Sequence, residues 1–331
     1  LVDGVFHAAT RLFGITFKPR PDLPTYHPDV RAWEVVGEDG ETIALFIGDY
    51  FKRKGKHGGA WMNAFVPQSH LLNRKPVIVN VMNIIKPASG PVLCSYDEVT
   101  TMFHELGHGV HGMFSDVYYP TFAGTNVSTD FVECPSTVHE DWAQHPQVIS
   151  NYARHHSTGE NLPADLLNKI ITSRCFNQRY DTLEYHSAAI VDMEWHSLTH
   201  QQATALFKAD GEVIDTFERD ILAKHGIDVP CVPPRYRSRF FSHSMGGSYS
   251  AAYYAYMWSE IIAADAHAYL VATGGPNREG GERLRRELLA RGNSRDVMES
   301  YIAFRGREPT SEALLIRRGI AKKAEEQKTE C

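Results

Sequence analysis

His104-Glu105-Leu106-Gly107-His108 is the segment of this 331-residue chain whose residue types and spacing could do chemistry. It is an HExxH pattern, and the run from Ser95 to Phe103 ahead of it reads as the opening turns of an amphipathic helix. On a helix, residues four apart share a face, so both imidazoles reach one metal ion while Glu105 stands beside the open coordination position. A zinc ion held there lowers the pKa of its bound water to about 7, and a neighbouring carboxylate takes the proton as that water attacks a carbonyl. The reaction these parts serve is hydrolysis of a peptide bond. HExxH also occurs in helices that bind nothing, with the histidines as partly exposed surface residues, so a third ligand decides. Glu133, in the first turn of a second expected helix, completes the two-His, one-Glu set of open catalytic zinc sites; read blandly, it only caps that helix. Asp130 and Glu140, on the same helix, are the carboxylates that could take the outer ring nitrogen of a metal-bound imidazole and fix its orientation.

A second stretch with chemical potential runs from Ser242 to Tyr256 and contains His243, Tyr249, Tyr253 and Tyr256. Hydrolysis builds negative charge on the former carbonyl oxygen, and a phenol or imidazole N–H aimed at it stabilises the transition state, typically by about 3–4 kcal/mol per donor. Tyr253 and Tyr256 are expected as neighbours on one helix face. On composition alone, a tyrosine-rich helix with Trp258 reads first as core packing.

The elements that must hold these residues are β-rich at the start of the chain and helical afterwards. A short helix is expected over 5–14 and strands over 33–36, 43–47, 60–66 and 76–81, with Gly37-Glu38-Asp39-Gly40 as the hairpin turn between the first two. From about 97 onward a 3.6-residue periodicity predicts helices over 97–114, 128–143, 164–208, 210–225, 249–273, 279–291 and 295–304. The fold class is mainly α with a small β-sheet (α+β). One catalytic domain is expected over 1–331, with the sheet inside 1–95, helices over 96–320 and a frayed, charged tail over 321–331.

With 43% hydrophobic and 22% charged residues the chain can bury a sizeable core. Its net charge is −6 and its basic residues are scattered apart from Arg235, Arg237 and Arg239, which disfavours a nucleic-acid partner. The five cysteines are odd in number, dispersed and without CxxC spacing, which suits a reducing compartment and a cytoplasmic protein. No apolar run approaches the roughly 18 residues of a membrane span.

Three blocks carry a family resemblance. His104 to His111 resembles the HExGHxxH stretch of the zinc peptidases that include thimet oligopeptidase, oligopeptidase A and dipeptidyl carboxypeptidase. Gly124 to Trp142 is similar to that family's GTNxxxDFVExPSQxxExW block, and Phe241 to Trp258 to its SHxxGGGYxAGYYAYLW block. Gly58 to Met62, Pro233 to Ser238 and Arg291 to Ser294 resemble the carboxypeptidase branch, and the likeness covers residues 1 to about 320. Thr137, Ser248, Ala252 and Thr100 depart from the usual pattern, and none is a ligand or the base.

The resemblance implies a zincin-like fold with one zinc per chain on His104, His108 and Glu133, and Glu105 as general base. It also implies Tyr253, Tyr256 and His243 as catalytic donors, and Tyr249 with the strand Ala60-Trp61-Met62 as the binders of substrate. Family members carry a long helical half before the point where this chain opens with Leu1, so the chain is expected to be the C-terminal half of a two-lobed peptidase, the missing N-terminal lobe being its partner. The expected activity is release of C-terminal dipeptides from short peptides. Endo-acting cleavage is the alternative within the class. A non-catalytic, zinc-containing peptide-binding half is the alternative outside it, and the intact Glu105 speaks against that.

Overall fold

The computed structural model describes residues 1–208, 212–247 and 249–322. Helix α1 (Val2–Phe13) opens the chain, with Val5, Phe6, Ala9, Leu12 and Phe13 at buried positions of helical spacing, and Gly14 ends it in the left-handed region at φ 65°. Phe6 stacks on Phe17 with ring centroids 3.8 Å apart and meets Trp33 and Phe46 edge-on, which seats α1 on the sheet.

Strands β1 (Thr16–Pro19), β2 (Arg31–Val36), β3 (Thr42–Phe51), β4 (Trp61–Val66) and β5 (Val77–Ile84) form one mixed sheet in the order β1-β2-β3-β5-β4. The β2–β3 hairpin turns through Gly37 and Gly40 as expected, with Gly40 at φ 81°. β3 and β5 run parallel, and β4 closes the sheet antiparallel to β5 as an edge strand. β1 was not foreseen: four residues ending in Pro19 carry no alternation to read. Ala60 falls just before β4, which begins at Trp61.

Helix α2 (Tyr96–Met113) starts at a capping box in which Ser95 and Glu98 exchange side-chain and backbone bonds, and it buries Met102, Phe103, Leu106, Val110 and Met113. Helix α3 (Thr129–Glu140) follows and α4 (Pro146–Tyr152) starts on a proline, the residue best suited to a first helical turn. The remaining helices are α5 (Ala164–Ser173), α6 (Gln178–His196), α7 (His200–Phe207), α8 (Val213–Lys224), α9 (Ser242–Met245), α10 (Ala255–Ala272), α11 (Arg278–Glu287), α12 (Val297–Arg305) and α13 (Glu312–Arg317).

The expected helix over 164–208 is three helices, broken where Asn177 takes φ 55° and where Thr199 and Gln202 form a second capping box. The expected helix over 249–273 starts only at Ala255, because Ala251 lies in the left-handed region and interrupts it. Residues 210 and 211 of one expected helix, Ser248 and the tail from 323 lie outside the described residues.

The chain divides into two compact units. The first comprises Leu1–Ile171 and Glu260–Leu314 and holds the sheet, α2, α3 and the main hydrophobic core. The second comprises Thr172–Ser259 and the chain from Leu315, and its small cores form around Ala188, Ala189, Phe241 and Tyr253 and around Val191, Ile221 and Leu222.

Candidate active site

The site in the first unit depends on how closely α2 approaches α3. Gly107, inside the HExxH segment, lies so near α3 that a Cβ on it would stand 2.5 Å from the Cα of Ser136 and 2.9 Å from the carbonyl oxygen of Pro135. That contact brings Glu133 to the two imidazoles. One Glu133 oxygen, Oε2, lies 3.2 Å from Nε2 of His104 and 3.1 Å from Nε2 of His108, and Ser136 donates to the same oxygen at 3.2 Å. The three donor atoms fall within 4.8 Å of one another. In a tetrahedral site with metal–ligand bonds of about 2.0–2.1 Å, neighbouring ligand atoms lie about 3.3 Å apart. The spacing and the donor chemistry of the trio therefore fit zinc.

Glu140, at the end of α3, lies 2.6 Å from Nδ1 of His104 and orients that ring with Nε2 inward. Nδ1 of His108 is buried and has no hydrogen-bond partner among the described residues. Asp130 stands one turn before Glu133, half-buried.

Burial pushes the Glu133 carboxyl up, but hydrogen bonds from His104 and His108 outweigh it and hold the group well below the usual carboxylate range. Burial likewise drives the His104 imidazole down, and the carboxylates of Glu133 and Glu140 reverse this and raise it. For His108 burial wins over Glu133, and the ring is shifted down. Glu105 is 4% exposed, and its Oε2 has no hydrogen-bond partner among the described residues. Burial, opposed by His104 and helped by Glu133 and Glu140, pushes its carboxyl up to about 7, the range in which a general base works best near neutral pH. His111, also on α2, is fully buried with no hydrogen-bond partner on either ring nitrogen among the described residues, and burial pushes it down to about 3.

The strand expected to bind substrate is β4. Its side chains alternate: Met62 points to α2, where a Cβ on Gly112 would meet its Cε at 2.5 Å, while Trp61, Asn63 and Phe65 line a cavity of about 340 Å³ on the other face with Asp49, Arg53 and Lys56. Asp49 is bound by Arg53 at 2.6 Å and by Lys56 at 3.0 Å, and Lys56 also donates to the carbonyl of Phe51 at 2.9 Å, which ties down the turn leading into β4.

In the second unit His243, Tyr249, Tyr253 and Tyr256 form one ring cluster. Tyr253 has the rings of His243 and Tyr256 at 5.6 Å, and Tyr249 stacks on Tyr256 at 5.0 Å. Tyr253 stands in the turn ahead of α10 and Tyr256 within it, so they meet across a helix start and do not share a helix face as expected. Burial raises the Tyr253 phenol, which keeps its proton and remains a donor.

Three residues close to the proposed machinery carried no sequence signal strong enough to single them out. Ser136 sits inside the Gly124–Trp142 block and was legible only as part of it. Tyr185 and Asp192, on α6, bond to the tyrosine segment across separations of 68 and up to 61 residues, which no local pattern reveals.

An HExxH helix facing a glutamate on the next helix is the arrangement of a metallopeptidase centre. Residues 1–320 match Peptidase family M3, and the chain belongs to that family. It is 48% identical over 321 residues to dipeptidyl carboxypeptidase of Salmonella typhimurium (strain LT2), covering 97% of this chain and 46% of that protein. Dipeptidyl carboxypeptidase of Escherichia coli (strain K12) is 46% identical over the same shares of each chain. Oligopeptidase A of Salmonella typhimurium is 35% identical over 96% of this chain and 46% of its own. The chain thus spans about half the length of these relatives. No helix among the described residues is long and apolar enough to cross a membrane.

Proposed function

We propose that this chain is the catalytic part of a zinc-dependent peptidase that takes short, extended peptides and releases dipeptides from their C-termini. The observation that carries the reading is the convergence of His104, His108 and Glu133 beside a buried Glu105 whose Oε2 has no hydrogen-bond partner among the described residues. These ligands would hold one zinc per chain. When bound, zinc supplies a Lewis acid that polarises the scissile carbonyl and acidifies water.

Glu105, next in sequence to one ligand and four-fifths of a turn from the other, takes the proton of the attacking water and passes it to the departing amine. Glu140 fixes the ring of His104, and Ser136 steadies the carboxylate of Glu133. The open edge of β4 can pair with the main chain of an extended peptide and so hold it without regard to its side chains, with Ala60 leading into that strand. Tyr253 and His243 supply donors for the oxyanion, with Tyr256 beside them, and Tyr249 contacts the peptide's terminal carboxylate. The support for these four roles is the match of Phe241–Trp258 to the family's motif and the clustering of the rings within the second unit.

Preference for C-terminal dipeptides over internal cleavage is supported by the 48% identity to a dipeptidyl carboxypeptidase against 35% to an oligopeptidase A. The dispersed free thiols at Cys94, Cys134, Cys175 and Cys231 favour a reducing compartment such as the cytoplasm. The test is metal analysis together with mass spectrometry of the products from one peptide in free-acid and C-terminally amidated forms. Stoichiometric zinc, with stepwise dipeptides from the free acid alone, is expected. Equal internal cleavage of both forms would replace this reading with endo-acting cleavage, and zinc without cleavage of either would leave only a peptide-binding role.

A further inference from the structure

Asp192 on α6 is fully buried, and a buried carboxylate must be satisfied by hydrogen bonds. Its partners come almost entirely from the segment that carries the tyrosines. Oδ1 accepts from the hydroxyl of Ser244 and from the backbone N–H of Ala251 at 3.1 Å, and lies 3.0 Å from Nδ1 of His196; Oδ2 accepts from the backbone N–H of Tyr253 at 3.0 Å. Two helical turns earlier on α6, the hydroxyl of Tyr185 donates to the carbonyl oxygen of Tyr253, and the two rings stack at 4.9 Å. One helix therefore holds the N–H and the C=O of the same residue. Between these anchors Ala251 sits at φ 55°, a conformation an alanine does not keep unless its surroundings impose it.

We propose that Asp192 and Tyr185 are positioning residues that grip the main chain of Tyr253 from its two sides and so aim its hydroxyl for the reaction, an inference that rests on the peptidase reading above. An oxyanion donor works only when its oxygen lies about 2.7–3.1 Å from the developing charge, and a misplacement of about 1 Å costs roughly 10²-fold. A ring at a helix start, preceded by a strained turn, has no such precision of its own. The grip supplies it, and the Asp192 carboxylate accepts both N–H groups where a neutral amide would offer one of them a donor.

The test is a double-mutant cycle on kcat. Asp192→Asn should lower kcat by about 10- to 100-fold with zinc content and KM within about twofold of the parent. Tyr185→Phe, which removes one hydroxyl and leaves the ring in place, should lower it by about three- to tenfold. In a background already carrying Tyr253→Phe, both substitutions should lose their effect to within about twofold, because the hydroxyl they aim is gone. A purely structural role would cost the same factor in either background, and that result overturns the proposal. If Asp192→Asn does not fold, the same cycle on Tyr185→Phe decides. If Tyr253→Phe alone leaves kcat intact, the catalytic role of Tyr253 is what fails. Hydrogen exchange at the amides of Ala251 and Tyr253 then tells the two apart. Faster exchange in the variants confirms the grip, and unchanged exchange removes it.

Discussion

On the zinc reading proposed above, replacing Gly107 by alanine should weaken metal binding. The added Cβ would stand 2.5 Å from the Cα of Ser136 and 2.9 Å from the carbonyl oxygen of Pro135, both main-chain atoms that no rotamer change can move. Restoring an ordinary contact of 3.4 Å separates α2 from α3 by about 0.9 Å at this point. His104 and His108 ride on one of these helices and Glu133 on the other. Zinc tolerates errors of about 0.2 Å in its ligand distances, so the displacement exceeds that several times over. A smaller helix tilt would absorb part of it, leaving an expected loss of at least about 10-fold and up to about 100-fold in zinc affinity, the range seen when the supports of metal ligands are disturbed. Stability should change less, since overpacking costs about 1–3 kcal/mol while alanine gains up to about 1 kcal/mol over glycine within a helix.

Gly112→Ala is the control. The substitution is the same, on the same helix, but its Cβ meets the side-chain tips of Met62 and Ile78, which can yield. Zinc affinity by competition with a chromogenic chelator, and thermal melting of the zinc-free protein, measure the two terms separately. If Gly107→Ala binds zinc within twofold of the parent, the claim that the α2–α3 contact sets the ligand geometry is wrong.

Glu105→Gln should keep full zinc content and lower kcat by roughly 10²–10⁴-fold, because the amide fills the same space and cannot take a proton; loss of zinc by mass spectrometry would instead make Glu105 a ligand. Glu140→Gln, which weakens the bond to Nδ1 of His104, should reduce zinc affinity by about 10-fold and leave the fold intact, and an unchanged affinity in the chelator assay would leave Glu140 without that role. Tyr249→Phe should raise KM for free-acid peptides and matter less for amidated ones; equal effects on both would take Tyr249 away from the terminal carboxylate.

The α2 segment was legible because two signals agree there, the amphipathic spacing of the run from Ser95 and the HExxH pattern; the Ser95/Glu98 capping box that starts the helix is a third, seen in the structure. Glu133 could be read because it stands in a long block whose spacing is distinctive. The sheet was visible through its runs of β-branched residues, apart from β1, which is too short and ends in proline. The helix starting at Ala255 was placed six residues too early, since nothing local announces that Ala251 will be held at positive φ by an aspartate from another helix. Asp192 was hidden for the same physical cause: one of four acidic residues on a helix of mixed polarity looks solvated until the tertiary fold buries it.

The glycines of α2 have a consequence beyond packing. Gly107 sets the helix against α3 and Gly112 sets it against Met62 and Ile78, both at contact distance. The two flanks differ in kind: main-chain atoms of α3 bound one, and the yielding side chains of Met62 and Ile78 bound the other. On the reading proposed here, β4 aligns the peptide and Glu133 helps to fix the metal, so the metal side is held rigidly while the peptide's distance from it depends on the bulk of two side chains.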